Sequence, residues 1–362
     1  MLYFLLGVNS QLSHIIITYT YVLMWNNDAI GRNGCIFIFS TSYIANIFST
    51  LLFCTRYKNF SLKTYRLFII ITQLSVVLLT ISHIAIYLFA NGILFIYLLI
   101  AIYVLQFFNG IYNISLYHYV LDIDPEYFKI IIRGCSFCGV LITSFTIITK
   151  IVLEYKYDYI VILIFSLSIM VVTLLLFVTK SQKKVKYVIP EIKKELDKVS
   201  VAFYMFLTFL NFFTTSIFFP FYLLDYKQKS VVNSNIFYDM AIFMTFYYGT
   251  ALGSIFSKYL AKKKWTIFIL LTLKIATQIS IIILMQSQSQ PGHHELLDRY
   301  GDMVFIIQNL IQFAIFGILA NNIILEIVMI SEASARVAHF TSIVNAIGNV
   351  LGMGMTIFLK KN

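Results

Sequence analysis

From Tyr159 to Thr179 the chain runs without a single charged residue. A helix needs about 20 apolar residues to cross roughly 30 Å of hydrocarbon, so this run is long enough to span a bilayer. It does not alternate, which excludes the ~10-residue in-out strands of an outer-membrane barrel. Similar runs recur along the chain and predict eleven membrane helices, over residues 2–24, 35–54, 67–89, 93–121, 130–153, 159–179, 199–224, 236–258, 265–286, 303–330 and 337–359. Composition agrees, with 60% hydrophobic and only 12% charged residues, against about 25% charged in a soluble domain. The four cysteines are too few for a disulfide scaffold. The net charge of +11 is not the footprint of nucleic-acid binding, because the basic residues stand in short blocks between apolar runs. The chain therefore reads as an all-α, multi-pass integral membrane protein whose partner is the lipid bilayer. The first run begins at residue 2 and lacks a small-residue cleavage site, so it is expected to stay as a span.

Lysine and arginine positions set the expected orientation. Basic blocks follow the second, fourth, sixth, eighth and tenth segments: Arg56 to Arg66, Lys129 and Arg133, Lys180 to Lys198, Lys258 to Lys264, and Arg336. Eighteen of the basic residues fall on that side and eight on the other, with Lys274 left inside a helix. The N-terminus is thus expected in the cytoplasm and the C-terminus outside. The longest basic block, 180–198, contains Pro190 and divides the chain into a six-helix bundle (1–179) and a five-helix bundle (199–362). Unequal bundles joined by a basic cytoplasmic linker suggest a two-bundle transporter with its substrate at the pseudo-symmetric midline. The same lysines also serve as an orientation signal in any fold.

Polar side chains at membrane depth are costly and face a cavity or another helix. In the first helix Gly7, Gln11, His14 and Thr18 share one face by their spacing. Helix four carries Gln106, Asn109, Asn113 and Tyr117, and helix seven Thr208, Asn211 and Thr215. Helix eight offers Tyr247, Thr250 and Ser254. Helix ten offers Gln308, Gln312, Asn322 and Glu326, and helix eleven Thr341, Asn345, Gly348 and Gly352. One such stripe serves equally well as interhelical glue; six together point to a wet central path lined by neutral donors and acceptors. That pattern suits an uncharged polar solute. Helices two, three, five, six and nine, poor in amides, read as outer, lipid-facing or packing elements. Small residues mark close helix approaches: Gly134 and Gly139 in helix five, Gly249 and Gly253 in helix eight, Gly348 and Gly352 in helix eleven. Cys135 and Cys138 read as small packing residues and not as a metal or redox site.

His14, His83, His118, Lys274, Glu326 and His339 are ionisable groups inside apolar stretches. No span holds a pair of carboxylates, and proton coupling through Glu326 or a histidine is left open. His293 and His294 read as surface. There is no nucleophile elbow, no zinc-protease motif and no phosphate loop. The chain is read as a non-enzyme with no cofactor and no metal.

Helices four and five carry a further pattern. Asn113-Ile-Ser115-Leu-Tyr117, then Pro125 and Tyr127, then Gly134-Cys-Ser136-Phe-Cys-Gly139 resembles the same region of the equilibrative nucleoside transporters, which has Gln-x-Ser-Leu-Phe/Tyr, a proline and a tyrosine, then Gly-x-Gly-x-x-Gly. Tyr3 to Gly7 resembles the opening of that family's first helix and Thr215 to Pro220 its Thr-x-x-x-Phe-Pro. Phe316 to Ala320 is similar to its Asn-Gly-Tyr-Leu-Ala, and Gly348-x-x-x-Gly352 to the end of its eleventh helix. The likeness follows chain order and implies eleven spans split six and five. With the neutral amide stripes it leads to the expectation of a major-facilitator-like all-α carrier that moves nucleosides or nucleobases down their gradient by alternating access. The plasma membrane is the default location, and the protein is read as monomeric. The resemblance implies that Asn113 meets the base edge, with Asn109 and Ser115 shaping helix four and Gln11, His14 and Thr18 lining the facing wall. Thr250 and Ser254 stand where the family has Asp-x-x-x-Arg, and Ser13-His14-Ile15 where it has Pro-Trp-Asn. Two alternatives are another small solute (a sugar, amino acid or nucleotide) on the same architecture, and a non-transporting homologue.

Overall fold

The structure, a computed structural model, describes residues 1–26, 31–56, 60–89, 95–152, 158–180, 198–219, 222–226, 237, 239–257, 259–260, 264–287, 295–330 and 335–360. Among the described residues there is no strand. Eleven α-helices among the described residues occupy the eleven apolar segments: α1 Leu2–Asn26, α2 Gly31–Arg56, α3 Leu62–Phe89, α4 Phe95–Leu121, α5 Pro125–Val152, α6 Asp158–Lys180, α7 Lys198–Phe218, α8 Thr245–Phe256, α9 Lys264–Ser287, α10 Glu295–Ile330 and α11 Ala335–Lys360. Seven of them, α3 to α7, α9 and α10, are long and apolar enough to cross a membrane on their described residues, and Phe37–Phe53 and Met240–Phe256 are shorter apolar stretches.

Several helix boundaries depart from the hydropathy reading, α3 starting at Leu62 and α8 at Thr245 among them, and three have a local reason. α5 begins at Pro125 and not at 130, because proline fits the first helical position, where its missing N–H is no loss. α7 stops at Phe218, short of 224, and a 3₁₀ turn follows at Leu223–Asp225; the residue before Pro220 is driven out of the helical region. α10 begins at Glu295, ahead of 303, and runs 36 residues. At 1.5 Å per residue it is about 54 Å long, so its polar first turns, with Glu295, Asp298 and Asp302, extend beyond the hydrocarbon. α8 is preceded by a wider π turn, Asp239–Met244.

Helix packing follows the distribution of small residues. α1 lies on α5, where Gly134 meets the backbone of Phe4, Gly7 and Val8. α8 lies on α10, where Gly249 and Gly253 meet Leu310 to Ile318, and α11 lies on α7, where Gly348 and Gly352 meet Phe209 to Ile217. A β-carbon at Gly134, Gly253 or Gly352 would run into backbone; that is the physical reason these positions carry none. α2 packs on α4 and α11, and α5 on α1 and α8, so α2 and α5 are packing elements between neighbours. α3 shows an outward stripe, Leu67, Ile71, Leu74, Leu78 and Ile81, and α9 another, Phe268, Ile269, Leu273, Ile279 and Ile283, all exposed. Apolar side chains outside and amides inside is the arrangement of a bundle dissolved in lipid.

Candidate functional site

The neutral polar groups of α1 and α4 divide into those already committed to a neighbouring helix and those left open. Asn109 is buried and donates through Nδ2 to the Ser10 carbonyl, 3.2 Å away. Tyr112 donates to the Leu6 carbonyl at 3.2 Å. These bonds fasten α4 to α1. Asn113, one turn further along, is only half-buried as a residue, yet its Oδ1 is buried and has no hydrogen-bond partner. Gln106 Nε2, Ser115 Oγ, Asn9 Oδ1 and Ser13 Oγ are in the same condition. Ser115 is two residues from Asn113, about 200° around the helix, so the two side chains stand on different faces of α4.

On α1, Gln11 and His14 are half-buried. His14 Nε2 lies 3.5 Å from the Tyr43 hydroxyl of α2, and its ring meets Phe39 edge-on at 6.2 Å. Ser10 stands 3.0 Å from the Cys135 thiol of α5. The side chain of Thr18 lies outside the described residues, as does that of His339. Cys138 is fully buried, and among the described residues no cluster of His, Cys, Asp and Glu could hold a metal ion.

The later helices present the same chemistry. Thr250 Oγ1 returns its proton to the Phe246 carbonyl at 2.7 Å, while Ser254 Oγ is buried without a partner. In α10, Gln312 donates to Asn309 Oδ1 at 2.7 Å and Asn309 to the Ala241 carbonyl at 3.2 Å. Gln312 Oε1, Gln308 Oε1 and Asn345 Oδ1 remain open acceptors. Asn345 lies about 15 Å along α11 from Ala335, and Asn113 about 12 Å from the end of α4 at Leu121, by the 1.5 Å rise. α4 and α11 are in contact.

Two features escaped the sequence reading. The first is the set of partners of Lys274, which the sequence places inside an apolar stretch of an outer or packing helix. It is fully buried and reaches α7, bonding the Asn211 carbonyl at 2.6 Å, Asn211 Oδ1 at 2.8 Å, Thr214 Oγ1 at 3.0 Å and Thr215 Oγ1 at 2.6 Å. The second is the α5–α8 crossing. Gly139 receives the ring of Tyr247, and Ser144 and the Tyr248 hydroxyl share a hydrogen bond of 2.7 Å. Next to it Phe246 stacks on Phe219 at 3.9 Å and meets Phe313 edge-on at 5.0 Å. The sequence marked Gly139 and Tyr247 on separate helices without pairing them, and nothing in the spacing of α9 pointed Lys274 toward α7.

No protein-family model and no curated protein matches the chain. Solved structures do. A point variant of the Escherichia coli fucose:proton symporter FucP superposes with a TM-score of 0.54 at 12% identity, over 98% of this chain and 88% of that one. A major facilitator superfamily transporter, FucP, in the outward conformation superposes with a TM-score of 0.58 at 12% identity, over 99% and 89%. The fold is the major-facilitator fold. Agreement over nearly the whole of both chains supports that fold, and it does not extend to the nucleoside family the motifs resemble.

Proposed function

We propose that this chain is a facilitative carrier that moves a small uncharged polar solute, a nucleoside or nucleobase, across a membrane by alternating access. The observation that carries this reading is the set of buried amide oxygens without partners, Asn113 Oδ1 foremost, in a fold of the major-facilitator type. A buried acceptor left unbonded costs about 1–3 kcal/mol, a penalty that a hydrogen-bonding solute or water entering the site removes. The groups are neutral, which matches a neutral solute whose base edge presents N–H donors. α1–α6 and α7–α11 would act as two bundles, joined by the basic 180–198 segment and rocking about the α5–α8 and α2–α11 contacts. The basic-residue asymmetry supports a cytoplasmic N-terminus, with the plasma membrane as the site of residence and a single chain as the working unit.

In this reading Asn113 bonds the base edge, Gln11 and His14 stand across from it, and Thr250 and Ser254 contribute neutral contacts. Asn109, tied to Ser10, positions α4 without touching the solute. The test is uptake of labelled uridine and adenosine in cells lacking their own nucleoside uptake. Saturable uptake that falls several-fold in Asn113→Ala, at equal surface level, is expected. Normal uptake in that variant would remove Asn113 from the site. A sugar is the second reading, favoured by the structural neighbour being a fucose symporter; uptake of labelled hexoses with none of nucleosides or bases would establish it.

A further inference from the structure

Lys274 is fully buried, and its Nζ is surrounded by four oxygen contacts, all of them neutral: a main-chain carbonyl, an amide oxygen and two hydroxyls, all within 3.0 Å. The four come from Asn211, Thr214 and Thr215, one face of α7 at i, i+3 and i+4. Their orientation is fixed from behind. The Thr215 hydroxyl gives its proton to the Asn211 carbonyl at 2.7 Å, and the Thr214 hydroxyl gives its own to the Leu210 carbonyl at 2.8 Å. Asn211 Nδ2 points away toward the Phe316 carbonyl at 3.4 Å. Every oxygen that faces Lys274 therefore presents a lone pair. Phe316 closes the shell, its ring centroid 5.2 Å from Nζ, with the negative face of a π-system toward the cation.

Three N–H donors meet four acceptor atoms, of which the Asn211 carbonyl also takes the Thr215 and Thr214 hydroxyls. Carbonyl and hydroxyl oxygens turned inward in this way are the donor set with which membrane proteins replace the hydration shell of a monovalent cation. We propose that the oxygens of Asn211, Thr214 and Thr215 form a monovalent-cation site that the chain fills permanently with its own Lys274 ammonium. The tethered charge replaces a dissociable ion, binds α9 to α7 and sets the Phe316 wall. If the transport reading holds, the cycle needs no sodium or potassium ion at this position; the site itself does not rest on that reading.

The test uses purified full-length protein and its thermal melting at constant ionic strength. Lys274→Ala should melt below the wild type in choline chloride. Replacing choline by ammonium chloride should restore part of the loss in a saturable way, as mass action requires of a ligand bound only by the folded state. The wild type, its site already filled, should not respond. A variant that responds equally to choline and ammonium, or a wild type that gains as much as the variant, overturns the proposal. If Lys274→Ala does not fold, Thr215→Val decides. It removes one oxygen while the ammonium stays, so melting should fall by several degrees and ammonium should not restore it; an unchanged melting temperature overturns the site.

Discussion

The two ends of the chain hold their helices together by different means. In α1–α6 bonds inside the bundle run between neutral groups, Asn109 to Ser10, Tyr112 to Leu6 and Gln73 to the Met170 carbonyl at 3.0 Å. A charged donor enters near the end of α6, where Arg66 meets the Val178 carbonyl at 3.1 Å. Several amides there are left unbonded. In α7–α11 a buried charge gathers its neighbours, and the surrounding bonds reach outward from it. Gln278 of α9 donates to the Thr214 carbonyl at 3.1 Å, Ser216 bonds Asn349 of α11, and Thr356 donates to the Ile217 carbonyl at 2.9 Å. α7 is thus tied by side-chain bonds to both α9 and α11. The lesson concerns what anchors each group, because open acceptors stand in both, Asn113 in α4 and Gln308, Gln312 and Asn345 in α10 and α11. Only the later helices are fastened around a fully buried lysine.

Three asparagines turn this difference into a graded test. Asn211→Ala removes an oxygen from a buried ammonium, and a hydrogen bond to a charged group contributes about 1.5–3 kcal/mol, so it should lower the melting temperature most. Asn109→Ala removes one neutral bond to a carbonyl that helix geometry already serves, a loss of about 1 kcal/mol. Asn113→Ala removes an oxygen that bonds nothing and should leave melting almost unchanged. Melting curves of the three purified variants check the order; an equal loss at positions 113 and 211 would break the contrast between the two groups of helices. Tyr248→Phe falls between Asn109→Ala and Asn113→Ala. Ser144 keeps its bond to the Val140 carbonyl at 2.6 Å, so stability should change by about 0.5–1 kcal/mol. Because the bond crosses α5 to α8, its loss should still change the uptake rate more than the melting temperature.

The number of helices, their order and their lipid-facing stripes were legible because hydropathy is local: twenty apolar residues announce a span wherever they lie. The ends of α7 and α10 were not. Pro220 stops one helix inside an apolar run, and the polar first turns of the other fall outside any hydropathy window. Polar stripes could be read on single helices by spacing, but spacing does not say which member of a stripe is already bonded. Asn109 and Asn113 look alike in the sequence and differ in the fold only because Ser10 of α1 lies beside one of them. Lys274 could be read as lying inside an apolar stretch, but its partners could not, for the same reason. Its helix is exposed on one side, and its partners stand some sixty residues away on α7, a pairing no periodicity encodes.

The account stands on Asn113 offering a free acceptor to a neutral solute. The most direct measurement is the melting temperature of purified wild type and Asn113→Ala across a concentration series of uridine, adenosine and their bases. A saturable rise in the wild type, much reduced in Asn113→Ala although both melt alike without solute, is the predicted result. A wild type that responds to none of these solutes, or an Asn113→Ala variant that responds as strongly as the wild type, would contradict it.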